Sequence, residues 1–138
     1  MATAPPIAFS HVGIHCFDLE KMVDFYTRIM GLTLTDHGEI ERGGAVAVPV
    51  NLAFLSSDPR DHHQLVLVGK PEREVERGAL LINQISFRLD SLDRLRKLRR
   101  TLEHEGVTTF RTVSHGNAWS IYFPDPEGNT VEAFVDSP

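Results

Sequence analysis

The chain has 138 residues and a formal net charge of −5, enough length for the core of one domain over residues 1–138 and the wrong sign for general nucleic-acid binding. A single cysteine, Cys16, excludes an internal disulfide and fits a reducing compartment, while no apolar run approaches the roughly 20 residues of a membrane span. The N-terminus has neither the basic region nor the apolar core of a signal peptide, so a cytoplasmic protein with no nucleic-acid or membrane partner is expected.

In chain order, residues 7–16 read as a strand in which period two sets His11, Gly13 and His15 on one face and Val12 and Ile14 on the other. Asp18 is the expected N-cap of a helix running to Met30, with Leu19, Met22, Val23, Tyr26 and Ile29 at helical spacing, and Gly31 ends it. A short strand over 32–35 is followed by turn signals from Gly38 to Gly44, a strand over 45–50 and more of the same sheet over 51–55. Residues 56–61 form a turn, and His63 opens a strand. The first half is thus β-α-β-β-β.

The charged stretch over 71–79 reads as a linker between a first module at about 7–70 and a second at about 80–136. Residues 80–89 are strand-like, and Asp90 or Ser91 caps a helix with Leu92, Leu95, Leu98 and Leu102 on one stripe, closed by Gly106. Residues 107–113 are extended, and strands follow over 118–123 and 130–135, joined by a Pro- and Gly-rich turn. Two tandem βαβββ modules, an α+β architecture, make this an internal repeat. The basic residues of the second helix need only be the solvated face of an amphipathic helix.

Glu132 is out of place between Val131 and Ala133, since a buried carboxylate without a partner is costly; an arginine or a metal is the expected compensation. Setting His11 against Gln84 aligns the two helices and brings His63 close to Glu132, each on the last strand of its module. Two imidazoles and one carboxylate from separate strands suit the 2-His-1-carboxylate face of non-haem Fe(II). His11, His63 and Glu132 are the expected metal ligands, with His62 competing for the second position; Mn(II), Ni(II) or Zn(II) are alternatives to Fe(II).

The chain resembles the vicinal oxygen chelate superfamily of glyoxalases, methylmalonyl-CoA epimerases, fosfomycin and bleomycin resistance proteins and type I extradiol dioxygenases. The residues that carry the resemblance are His11-Val-Gly-Ile-His-Cys-Phe-Asp-Leu, Asp24-Phe-Tyr, Met30-Gly-Leu, the pair His62-His63, and Asp125-Pro-Glu-Gly-Asn-Thr-Val-Glu132. The spacing of His115, Tyr122, Asp125, Gly128 and Glu132 resembles the extradiol ring-cleavage signature. The resemblance implies a glyoxalase-like fold and an enzyme of aromatic catabolism, a homodimer, that opens a catechol-like ring with O2. It implies His115 and Tyr122 as catalytic groups bonding substrate oxygens, and Asn117 and His15 as substrate-binding residues, with His15 able to replace an acid–base histidine missing from residues 47–53. Gln84 stands where glyoxalases and epimerases place a further ligand, which keeps open a metal-dependent lyase or isomerase. A non-catalytic binding or resistance protein is the third reading.

Overall fold

The computed structural model describes residues 7–43, 47–69 and 82–137, and the first module shows how alternation on its strands divides core from surface. In β1 (Val12–Cys16), Ile14 and Cys16 are buried while Gly13 and His15 are exposed. The Asp18 carboxylate accepts from the Lys21 backbone N–H at 3.0 Å and caps α1 (Leu19–Asp24). Beyond Asp24 the expected α-helix widens into a π-helical turn, Phe25–Ile29. There the Met30 N–H reaches the Phe25 carbonyl, five residues back, at 3.0 Å, and the Thr27 hydroxyl takes the Val23 carbonyl at 2.7 Å. Gly31 then turns the chain with φ +79°, a conformation that costs other residues about 1 kcal/mol or more.

The next strand departs from expectation. β2 (Thr33–Gly43) runs straight through the glycine-rich stretch expected to turn. Gly38 lies opposite Leu52 of β3 (Ala47–Ser56); residues 44–46 and the expected linker at 71–79 lie outside the described residues. The strand expected from His63 begins two residues later, as β4 (Leu65–Gly69). Residues 7–11 precede β1 without joining a strand.

The second module repeats the plan with β5 (Ile85–Arg88), α2 (Leu92–His104), β6 (Arg111–Ser114), β7 (Ala118–Pro124) and β8 (Thr130–Asp136). Ser91 caps α2 by accepting from the Arg94 N–H. Its end is a Schellman closure: the Val107 N–H bonds the Leu102 carbonyl at 2.8 Å and the Gly106 N–H bonds the Glu103 carbonyl at 3.1 Å.

Each module is a four-stranded sheet, ordered β1-β4-β3-β2 and β5-β8-β7-β6. The first and last strands of each module are parallel neighbours and the other pairs are antiparallel. Ile14 and Leu67 of the first sheet and Ile121, Phe123, Val131 and Ala133 of the second fall in one apolar core together with both helices. Val50, Val66 and Val68, with Leu52 and Phe54, form a separate cluster on the opposite face of the first sheet. The sheets therefore share their inner faces and turn their outer faces away from the common core.

The expected turn at 124–129 joins the modules. The Asp125 carboxylate accepts from the Tyr26 hydroxyl at 2.9 Å, from Asn129 Nδ2 at 2.7 Å and from the Glu127 and Asn129 backbone N–H groups. Glu127 accepts from the Phe17 and Asp18 N–H groups at 2.8 and 3.0 Å. No helix among the described residues is long and apolar enough to cross a membrane.

Candidate functional site

Period two places Ser86, Tyr122 and Glu132 on the outer face of the second sheet, while His11 and the pair His62-His63 lie just ahead of β1 and β4. On the first sheet, His11 lies with its ring centroid 4.3 Å from that of His63, which also packs 5.1 Å from the Phe54 ring. His62 Nδ1 approaches His63 Nδ1 at 2.8 Å, and His62 Nε2 lies 3.8 Å from an Asp36 carboxylate oxygen. Burial, with the neighbouring His11 and His62 rings adding to it, holds the His63 imidazolium below the usual histidine range, which favours the neutral, metal-ligating form. His15 is exposed on β1, on the side away from the buried Ile14 and Cys16.

On the second sheet Glu132 is buried in β8 with 7 % exposure. Its partners among the described residues are neutral hydrogen-bond donors and not an arginine. Gln84 Nε2 donates at 2.7 Å and the Ser86 hydroxyl at 2.6 Å to Oε2, and the Tyr122 hydroxyl donates at 2.7 Å to Oε1. Burial raises the carboxyl pKa, but the hydrogen bonds from Ser86 and Tyr122 outweigh it and hold Glu132 below its ordinary value. Tyr122 lies directly opposite Glu132; its own pKa is raised by burial and then by the carboxylate beside it. His115 Nε2 completes the series, 3.2 Å from the Tyr122 oxygen. His115 stands at the mouth of the β6–β7 turn, where its N–H bonds the Ala118 carbonyl and Gly116 adopts φ +83°. Asn117 sits exposed at the tip.

Two half-sets result: His11 with His63, and Glu132 with Gln84, Tyr122 and His115. Among the described residues no three or more histidine, cysteine, aspartate or glutamate side chains converge within one chain as a metal site requires. The donors have the right chemistry, imidazoles and a carboxylate, but among the described residues one chain does not bring them together. Ser86 escapes a reading by residue type, since a serine in a strand carries no special signal; its parity with Gln84 is the only clue.

A paired βαβββ fold that sets histidines and a carboxylate on outward sheet faces defines the class of protein. Residues 8–133 match the Glyoxalase/Bleomycin resistance protein/Dioxygenase superfamily, and the chain belongs to it. It is 28 % identical over 137 residues to biphenyl-2,3-diol 1,2-dioxygenase 2 of Rhodococcus globerulus, covering 98 % of this chain but only 65 % of that protein. A probable trivalent organoarsenical cleaving enzyme of Bacillus subtilis (strain 168) is 27 % identical over 131 residues, covering 91 % of this chain and 78 % of the other. Among solved structures, a glyoxalase family protein from Bacillus cereus superposes with a TM-score of 0.77 at 17 % identity, covering 100 % of this chain and 99 % of that one; that likeness concerns the fold.

Proposed function

We propose that the protein is a metal-dependent dioxygenase of the extradiol type, opening a catechol-like ring with O2, and that its metal site is shared between two copies of the chain. In this reading His11 and His63 of one copy and Glu132 of the other are the ligands, with Fe(II) the first choice and Mn(II), Ni(II) or Zn(II) the alternatives. The observation that carries the reading is the hydrogen-bonded series His115–Tyr122–Glu132, in which the Tyr122 hydroxyl donates to the proposed carboxylate ligand and His115 lies against the Tyr122 oxygen. Similarity to a biphenyl-diol dioxygenase supports it.

A shared site reconciles the ligand chemistry with the separation of the half-sets. β1 and β5 are edge strands of their sheets among the described residues. A twofold partner facing its second sheet to the first sheet of this chain would close both half-sets twice over. Bound there, Fe(II) would supply the template and Lewis acid that bring the catechol oxygens and O2 together. Tyr122 holds Glu132 in orientation through its hydroxyl, and His115 stands where it can pass a proton to or from the Tyr122 oxygen. Asn117 and His15 would border the substrate.

Anaerobic loading with Fe(II) followed by O2-electrode measurements on mono- and bicyclic catechols tests the activity. Uptake of O2 with coloured ring-opened products is expected, and no uptake across the panel contradicts it. A second reading rests on Gln84, bonded to Glu132 at 2.7 Å. Gln84 as a fourth ligand would give a closed site suited to proton transfer or lyase chemistry. A protein with no affinity for any of the four metals would instead be a small-molecule binding or resistance protein.

A further inference from the structure

The outer face of the second sheet carries a feature that the proposed ring cleavage does not use. Strand register lines up four residues in one row across β6, β7, β8 and β5: Arg111 opposite Tyr122, Tyr122 opposite Glu132, and Glu132 opposite Ser86. The next row on this face holds Val113, Ser120, Phe134 and Arg88 in register. Two cations lie on this face. Arg88 is engaged, with its guanidinium 5.2 Å from the Phe134 centroid and 3.3 Å from Asp136. Arg111 packs 5.4 Å from the centroid of the Tyr122 ring, and no carboxylate among the described residues lies within ion-pair distance of it. A second group beside it is under-used: the Ser120 hydroxyl, at 1 % exposure, has no hydrogen bond of good geometry among the described residues, although it contributes to the electrostatics of Tyr122 and Glu132.

The geometry points to Arg111 as a specificity residue that selects ring substrates bearing an anionic substituent, a carboxylate on the catechol ring. This assignment rests on the ring-cleaving reading above. Strands are about 4.8 Å apart, so Arg111 stands two spacings, roughly 10 Å, from Glu132, about the span of a ring with its diol held beside Glu132 and a carboxylate on the far side. The guanidinium presents paired N–H donors that match a carboxylate, and its contact with the Tyr122 ring holds it on this face. The adjoining row adds the apolar side chains of Val113 and Phe134, on either side of Ser120, to the same face.

Anaerobic equilibrium binding of two probes, 3,4-dihydroxybenzoate and catechol, to the Fe(II)-loaded protein tests this, with Arg111→Ala and Arg111→Lys beside wild type. Wild type is expected to prefer the acid at least tenfold, with the preference shrinking as salt rises. Arg111→Ala should lose most of it and Arg111→Lys should keep part. Equal affinities in wild type, or a ratio that Arg111→Ala leaves unmoved, overturns the assignment. O2 uptake with the same probes separates the two claims. A binding preference that depends on Arg111 without uptake retains the anion site and removes ring cleavage; uptake with no such dependence does the reverse.

Discussion

Glu132 is a carboxylate kept ionised by neutral donors, and its environment fixes what its neighbours must do. Its pKa is held below the ordinary value of 4.5, so its contribution to folding is present above that value and is lost as pH falls through the lower folded-state pKa. Tyr122→Phe removes one of the hydrogen bonds that lower it. In the metal-free protein this change should raise the Glu132 pKa, shift acid unfolding to higher pH and cost about 1–2 kcal/mol, measurable by denaturation at several pH values. An unchanged acid midpoint would show that Ser86 and Gln84 suffice. On the other sheet, His63→Ala should weaken metal affinity far more than His62→Ala; the reverse result would make His62 the ligand. Cys16 offers a control on the fold. Burial first, then the Glu127, Asp125 and Asp18 charges, push its thiol up to about 12, so it should resist alkylation until the protein unfolds.

At the scale of elements, the turn at 124–129 acts as the clasp between modules. Asp125→Ala would strand the buried Tyr26 hydroxyl and two backbone N–H groups and should cost about 3 kcal/mol, against about 1 kcal/mol for Tyr26→Phe; chemical denaturation of the two variants compares them. This turn shows what the sequence does and does not reveal. Its Pro, Asp and Gly residues mark a reversal through local backbone chemistry, and the caps at Asp18, Ser91, Gly31 and Gly106 are legible for the same reason. That Asp125 would bond Tyr26 is not legible, because the contact depends on how two modules dock. The same limit explains β2. Gly38 reads as a turn by type, yet ten cross-strand residue pairs with β3 hold it in an extended strand, tertiary pairing overriding local preference. The π-helical turn at Phe25–Ile29 is likewise invisible to a pattern of apolar spacing that a plain helix satisfies.

Over the whole molecule, the repeat is readable from its two β-α-β-β-β halves, and so is the match of His11 with Gln84, each one residue ahead of the first strand of its module. The match of His63 with Glu132 does not hold, since His63 precedes β4 and Glu132 lies within β8. The relation between the halves is not readable, because hydrophobic alternation marks which face of a sheet is buried but not which neighbour buries it. The shared core sets both outer faces outward and leaves His11 and His63 at the first sheet and Glu132 on the second. The proposed dimer has a consequence that separates it from any site within one chain. His63→Ala and Glu132→Gln each damage a different half-set, so each variant alone should fail to bind metal at either site. Mixed by unfolding and refolding together, half of the dimers should be heterodimers in which one of two sites has both intact halves. Metal content of the purified heterodimer, measured after Fe(II) or Zn(II) loading, should be one ion per dimer. A heterodimer that binds no metal, like its parents, would contradict the shared site.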